Sequence, residues 1–447
     1  MTTVLMPVKS EIASTGDWEQ QRLKYLVRFV GGATPSTDDP TFWNGEIPWV
    51  SPKDMKVANI SDAEDHLSEI GLASCSSQRV ASGNVLVVVR SGILRHTLPV
   101  AINVRDVALN QDMKALIPRG SLVAAFLRYV LMANQPAALD LIRKQGATVE
   151  SIDQALLSNM IISFPNVDQQ VSIASFLDIE TAEADALVTK YERLIELLEE
   201  KRVAIITQAV TKGLNPNIPM KDTGVQIIGD VPEHWAVLPL RRLASVRGGT
   251  GIPEDYLTDD ESAIPFFKVG DIESADSDGV MRNARSFVIS SVPESAAGTW
   301  FPKDTIVLAK RGAALLLNRF RQTGQNGFFD SNLMGLKVDH KKLNLRFALH
   351  VLSIVDLVQY VKPGAIPSID APEIKNQVIA LPPVQEQTLI VNHIEVWTRN
   401  IAIEISLVQR AVALVKEHRS ALITAAVTGQ IDIRTYRSKK QPVGVSA

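Results

Sequence analysis

The stretch TAEADALVTKYERLIELLEEKRVAIITQAVTKG, residues 181–213, decides how this chain is built. It holds no proline and closes on its only glycine, Gly213. Leu187, Tyr191, Leu194, Leu198 and Ile205 recur four and three apart, with a last step of seven, which is the seam of a coiled coil. Residues 182–212 as one helix would rise roughly 46 Å at 1.5 Å per residue. A seam this long seeks a second helix, although long amphipathic helices can also pack into one compact core. The chain supplies a candidate partner itself. Val408, Ala411, Val415 and Leu422 stand at the equivalent seam positions of a later segment of the same length.

That equivalence runs through the whole sequence. Shifted by 217 positions, Trp18 falls on Trp235, Gly31-Gly32 on Gly248-Gly249, Ile47-Pro48 on Ile264-Pro265 and Asp54 on Asp271. Ser151-Ile152-Asp153 falls on Ser368-Ile369-Asp370, Gln170 on Gln387 and Arg193 on Arg410. A repeat of about 200 residues has the size of a domain pair, far beyond a solenoid unit. Each copy changes texture partway. NVLVVVRSG (84–92) and DTIVLAKRG (304–312) read as buried strands. AAFLRYVLMANQPAALDLI and RFALHVLSIVDLVQYV each read as a helix. After Pro165 and Pro382 the pattern is all helical, with the proline well placed before a helix start.

The sequence therefore predicts an α+β protein. Two α/β domains, 1–163 and 221–380, alternate with helical spacers, 164–220 and 381–435, before a flexible tail, 436–447. If equivalent copies place equivalent helices, the two long helices run antiparallel about a pseudo-twofold axis. The domains then sit apart as two heads of a dumbbell.

Composition bounds the function. The chain has 447 residues, a net charge of −3 and a single cysteine, Cys75, so it can form neither an internal disulfide nor a cysteine-rich zinc site. No apolar stretch is long enough for a membrane span and the N-terminus lacks a signal-peptide core, so a cytoplasmic protein is expected. Charge is segregated. Residues 79–105 hold Arg79, Arg90, Arg95 and Arg105 with His96 and no acid; residues 305–329 hold Lys310, Arg311, Arg319 and Arg321, again with no acid, whereas 254–278 is crowded with acids.

These basic segments are candidate nucleic-acid contacts. Arg90 and Lys310 both follow a strand and precede a glycine turn, and are read as counterparts. Arg311, Asn318, Arg319, Arg321 and Gln322 form the denser group; arginine suits guanine, and Asn or Gln suits adenine, although phosphate is the commoner partner. Arg95-His96, Lys53, Lys268 and Lys114 are further candidates, against the plain alternative of solvated loop cations. The repeated Asp54 and Asp271 are read as turn holders, and the paired glycines as tight turns. Catalytic signatures are missing: the chain has no GxxxxGK[ST] loop, no HExxH motif and no Cys/His cluster, and NPNI (215–218) lacks the aromatic that would stack on a flipped base.

KDTGVQIIGDVPEHW (221–235), IPWVSPKDM (47–55), IPFFKVGDI (264–272), LPPVQEQTLIVNHI (381–394) and ALITAAVTGQIDI (421–433), in this order and largely twice, resemble the conserved blocks of Type I restriction-modification specificity subunits. Residues 1–17 match the family's lead-in poorly. The resemblance implies a non-catalytic subunit that binds a two-part target in double-stranded DNA, one domain to each half. It also implies two methyltransferase subunits and two restriction subunits as partners, which would carry S-adenosylmethionine, ATP and magnesium; this chain would carry no cofactor and no metal. A coiled-coil adaptor for proteins, or a DNA methyltransferase with its own active site, are the competing classes.

Overall fold

The computed structural model describes residues 18–133, 135–144, 149–225, 228–276, 278–362, 364, 366–434 and 436. They form two compact units: the described residues up to Glu192 together with those from Gln409, and Arg193–Val408. The lead-in 1–17 and, Tyr436 apart, the expected tail lie outside the described residues.

The first unit contains strands β1 (Glu19–Arg22), β2 (Val27–Gly31), β3 (Trp43–Val50), β4 (Asn59–Ile60), β5 (Asp65–Leu67), β6 (Val85–Val88), β7 (Val100–Asn103), β8 (Ala108–Leu109), β9 (Met113–Pro118) and β10 (Ile161–Phe164). Its helices are α1 (Leu23–Leu26), α2 (Glu69–Ala73), α3 (Ala124–Met132), α4 (Gln135–Ile142), α5 (Gln154–Ser158) and the first part of α6 (Val167–Lys212). A five-stranded sheet runs β2-β9-β6-β7-β4, beside a smaller sheet β5-β3-β8. The central β6, Val-Leu-Val-Val, is buried at every residue, which is why it reads as an unbroken apolar run. β1 pairs with β10, Glu19 opposite Phe164, so the domain's entry and exit are tied together.

The second unit repeats this strand for strand. It contains β11 (Met220–Asp222), β12 (Asp230–Pro232), β13 (Ala236–Pro239), β14 (Ala244–Gly248), β15 (Leu257–Thr258), β16 (Ile264–Phe267), β17 (Val280–Met281), β18 (Phe287–Val288), β19 (Trp300–Phe301), β20 (Ile306–Ala309), β21 (Arg321–Thr323), β22 (Gly327–Phe329), β23 (Leu333–Val338) and β24 (Val378–Leu381). Its helices are α7 (Val269–Glu273), α8 (Ala313–Leu316), α9 (Leu345–Ser353), α10 (Ala371–Lys375) and most of α11 (Val384–Val427). The main sheet runs β14-β23-β20-β21-β17, and the smaller one gains β15 and β19 at its edges. Ala236 opposite Leu381 repeats Glu19 opposite Phe164 at the offset of 217 (236 − 19 and 381 − 164). Inside the domain the offset grows: β20 starts 221 residues after β6 (306 − 85), and β23 starts 220 after β9 (333 − 113). The second copy thus carries a net insertion before β20, which a matching deletion later cancels.

Several helical expectations need correction. The helical run that opens after Pro165 and the seam helix are one: α6 runs unbroken over 46 residues. The Thr181 hydroxyl donates back to the Leu177 carbonyl at 2.6 Å instead of capping a new helix. The single helix expected over AAFLRYVLMANQPAALDLI is two, α3 and α4, because Pro136 has no N–H to extend α3 and suits the first turn of α4. The segment 346–361 also divides. α9 ends at Ser353, and Asp356 caps a separate 3-10 turn, Leu357–Tyr360, by accepting from Val358 N at 3.0 Å.

Tyr191, Leu198 and Ile205 stand in the seam, but two of the expected α6 positions are displaced by one residue. Leu187 and Leu194 are 39% and 40% exposed, whereas Val188 is 9% exposed. Thr181, Val188, Tyr191, Ile195, Leu198 and Ile205 are the residues turned inward, a stripe of steps of three, four and seven. On α11, Val408, Val415 and Leu422 share the inward stripe with Ile401, Ile405 and Val412, and Ala411 lies at its border. Within the first unit the two helices run antiparallel, Arg419 pairing with Asp185 at 3.0 Å and Lys416 with Glu192 at 3.5 Å. Within the second, Lys201 stands 5.6 Å over the Trp397 ring.

Each long helix is anchored by a glutamine with no exposed surface. Gln170 Nε2 donates to the Ser121 carbonyl at 3.0 Å and the Pro165 carbonyl at 2.8 Å, and its Oε1 accepts from Val123 N at 2.9 Å. Gln387 repeats the set: Nε2 to the Lys342 and Pro382 carbonyls, both at 2.9 Å, and Oε1 from Asn344 N at 2.7 Å. Gln387→Leu keeps the volume and leaves three backbone groups without that partner. A loss of about 3 kcal/mol is expected in urea unfolding of the second unit, with Gln170→Leu doing the same to the first. A loss below about 0.5 kcal/mol, the range of ordinary surface substitutions, would refute the anchor.

Candidate nucleic-acid interface

The candidate cations gather at one end of each main sheet, for reasons of strand register. In the first unit β2 and β6 end where β9 begins: Gly31 pairs with Lys114, and Val88 with Met113. Beyond β6 the chain is held by Val89 N donating to the Asp112 carbonyl at 2.8 Å and by a bridge between Arg90 and Ser151. In the second unit Gly248 pairs with Met334 and Ala309 with Leu333; Lys310 N donates to the Asn332 carbonyl at 2.8 Å, and Arg311 bridges Ser368. The counterpart of Arg90 is therefore Arg311, and Lys310 corresponds to Val89. The sequence pairing of Arg90 with Lys310 was one residue off, because the offset between copies changes inside the domain.

The second glycine of each pair is required here, though not by backbone twist, since neither pair has positive φ. A Cβ on Gly32 would collide with the carbonyls of Leu109 and Asn110, and one on Gly249 with those of Phe329 and Asp330. The glycine segment must lie flat against the start of the last sheet strand. Two indoles brace it in the first unit, Trp43 Nε1 donating to the Ser36 carbonyl and Trp49 Nε1 to the Ala33 carbonyl, each at 3.0 Å. In the second, the Thr250 and Thr299 hydroxyls meet at 2.7 Å.

Charge availability differs among the candidates. Arg311 is exposed, and Lys114 and Lys310 are half-buried; burial draws the Lys114 ammonium below the usual lysine range. Arg90 Nε donates to Asp112 on the same surface. Arg95 pairs with Glu150 at 3.2 Å, and His96 follows it at the exposed end of the 3-10 turn Gly92–Arg95. Lys53 sits elsewhere, held by Asp65 at 2.9 Å and Glu64 at 3.2 Å, and these two carboxylates raise its pKa. Lys268 stands 5.5 Å over the Phe266 ring. Asp54 and Asp271 hold turns: Asp54 Oδ2 accepts from Ser51 N and Oγ at 2.8 Å, and Asp271 Oδ2 from Lys268 N at 2.7 Å.

The dense group of the second copy is split by the fold. Gln322 lies opposite Ile306 and Arg321 opposite Val307, at the start of β20, while Lys310 and Arg311 follow its end. Arg319 pairs with Glu273 at 3.3 Å. Arg321 is half-buried, donates to the Phe320 carbonyl at 3.0 Å, and is drawn below the usual guanidinium range by burial and by Arg319. Gln322 Nε2 donates to Asp304 at 2.6 Å. Asn318 is not an available amide. Its Nδ2 donates to the Val355 carbonyl at 2.7 Å and its Oδ1 accepts from Leu357 N at 3.3 Å, which ties α8 to the 3-10 turn. Sequence reading missed Arg282, clamped between Asp276 and Asp278, and Arg285, which donates to Ser274 at 2.9 Å. Both lie in the 275–300 stretch that has no repeat to point at it.

No helix among the described residues is long and apolar enough to cross a membrane. The sheet ends offer exposed and half-buried cationic donors, which suit an anionic partner. Arg311→Ala is expected to weaken DNA binding in a fluorescence-anisotropy salt series and to lower the log–log slope by about 0.9, the share of one phosphate. Asn318→Ala should leave that slope alone and lower the urea midpoint; the opposite pattern would return Asn318 to the interface and remove Arg311.

Comparison with known proteins gives a consistent picture. A family model described as "Type I restriction modification DNA specificity domain" matches residues 15–197 and again 232–409. The EcoR124I/EcoR124II specificity subunit of Escherichia coli is 33% identical over 187 residues, covering 42% of this chain and 46% of that protein. The MjaIX specificity subunit of Methanocaldococcus jannaschii is 23% identical over 431 residues, 93% of this chain and 94% of that one. A chain solved for the complex assembly and conformational transition of the type I R-M system has the same fold, with a TM-score of 0.74 at 14% identity, over 94% of this chain and 100% of that one. The HsdS subunit of Thermoanaerobacter tengcongensis gives 0.53 at 15% identity, over 94% and 99%.

Proposed function

The chain belongs to the Type I restriction modification DNA specificity family, and from that premise we propose that it reads a two-part DNA target, one half with each repeated domain, for enzymes that it recruits. Domain 1–163 takes one half and domain 221–380 the other, and the paired helices fix the unread gap. The observation that carries this reading is a repeated sheet end with cations at Lys114 and Arg90 in one copy and at Lys310 and Arg311 in the other. Around that shared frame the loops differ: the second copy has β15, β19 and the Arg282 clamp, which have no counterpart among the described residues of the first. A common frame with unlike loops is what two unlike half-sites require.

The chain itself does no chemistry in this reading. Methyl transfer from S-adenosylmethionine belongs to two methyltransferase subunits, and ATP with magnesium to two restriction subunits. All of them work in the cytoplasm on double-stranded DNA. The E. coli and M. jannaschii relatives, both called specificity subunits of restriction enzymes, support that assignment.

Methylome sequencing of cells that express the chain with the methyltransferase of its system should return one two-part motif. Exchanging residues 1–163 for the domain of another family member should change one half and spare the other; a change in both halves would defeat the modular reading. The ruler has its own test. Seven residues added at matching levels of α6 and α11 keep the seam in phase and add about 10 Å of rise. The gap in the methylated motif should then grow by about three base pairs at 3.4 Å each. An unchanged gap would mean that something other than these helices sets it.

A further inference from the structure

Lys114 and Lys310 are not counterparts in the repeat. Lys114 is the second residue of β9 and faces Gly31; at that position the second copy has Met334, facing Gly248. Lys310 follows β20; at that position the first copy has Val89. The match of Val89 with Lys310 rests on backbone bonds on both sides. Each N–H donates at 2.8 Å to the turn before the last sheet strand, and each carbonyl accepts, from Ile152 N at 2.8 Å and from Ile369 N at 3.0 Å.

Even so, the two ammonium groups arrive at one place. Lys114 Nζ lies 3.8 Å from the point where a Cβ on Gly31 would sit, and Lys310 Nζ lies 2.9 Å from the same point on Gly248. Duplication copies a residue to its counterpart, so descent does not explain a charge delivered to one point from two strands. What both copies share is the point. Neither ammonium has a hydrogen bond or a close ion pair to another described residue, although the Asp370 carboxylate, itself paired with Lys362, lies within electrostatic reach of Lys310. Half-burying an ammonium without a partner is unfavourable, and an anion at that point would offset the cost. A side chain at Gly248 would meet the ammonium, whereas glycine leaves the approach open.

A contact common to two heads with unlike loops carries no base identity, and the backbone phosphate is the part of DNA that both half-sites share. A lysine ammonium, a point charge with freely turning donors, suits a single phosphate oxygen. We propose that Lys114 and Lys310 each bind one DNA backbone phosphate, at the same place on the sheet end of each domain, by side chains that reach it from different strands. The proposal rests on the DNA-reading role given above.

Relocation of the charge tests it. The full-length chain is titrated, across a potassium chloride series, with the duplex found by methylome sequencing and with duplexes carrying single base changes. Lys114→Met should weaken binding to all of them alike and lower the log–log slope by about 0.9. Adding Val89→Lys to Lys114→Met rebuilds the second copy's arrangement in the first, and should restore the slope. Lys310→Val rescued by Met334→Lys is the mirror pair, and stands in if either variant of the first pair melts early. Rescue in a pair that melts like the parent chain supports the proposal. Loss without rescue in both pairs overturns it, as does a loss confined to one base pair, which would make the lysine a base reader. If the parent chain fails to bind the duplex, the DNA-reading role falls and takes this proposal with it.

Discussion

A buried glutamine amide at the root of each long helix is the interaction on which the rest depends. Gln170 and Gln387 each join the turn before α3 or α9, the proline two residues before the helix, and the helix itself through three hydrogen bonds. A charged residue could not be placed there without a buried counterion, and an apolar one would leave the same carbonyls and N–H unmet. An amide has both donors and acceptor, and so locks one geometry. The direction of a helix is set at its root, and α6 has 46 residues over which an error of direction would grow. One neutral side chain thus fixes how each domain meets its helix, and the duplication preserved it in both copies.

The second constraint is that the first unit is not a continuous piece of chain, and that each long helix ends in a different core from the one where it starts. The last turns of α11, with Leu422, Ile423, Ala426 and Val427, belong to the same core as Phe176, Leu177 and the sheet of the first unit. The last turns of α6, with Ile206, Ala209 and Val210, belong to the core of the second with Ile390, Val391 and Ile394. The first unit therefore cannot close its core until the C-terminal helix exists, some 250 residues after its own sheet is complete. This explains why the helical segments repeat as faithfully as the sheets do. Each end must fit a core built by a different part of the chain, so a change in either segment is constrained by packing at both ends.

The repeat was legible because buried positions are chemically demanding: glutamine at the helix root, glycine where backbones touch, and aspartate at the turns that Asp54 and Asp271 hold. The seam was legible only to within one residue. Leu187 and Val188 are adjacent and both apolar, as are Leu194 and Ile195, so the sequence offers two choices at each of these positions and packing selects one, while Tyr191, Leu198 and Ile205 stand in either reading. The counterpart of Arg90 was misplaced because an insertion is invisible until strand register shows it. Ion pairs such as Arg319 with Glu273 and Arg95 with Glu150 join residues 46 and 55 apart, and no local pattern announces them.

Those ion pairs explain how a chain of net charge −3 presents cations to a polyanion. The number of basic residues matters less than which of them are already matched. In the second unit Asp276, Asp278 and Glu273 pair with Arg282 and Arg319, whereas Lys310 and Arg311 at the sheet end lie near the Asp370 carboxylate, which Lys362 already holds. The acid-rich stretch thus occupies arginines elsewhere in the unit with carboxylates of its own. In the first unit Asp112 holds Arg90 in place by a half-exposed ion pair, which is weak in water and easily exchanged for a phosphate. A cation held in position by a weak partner loses less freedom on binding than a loose one. Acidic residues here therefore aim the positive charge, and the overall sign of the chain says little about its partner.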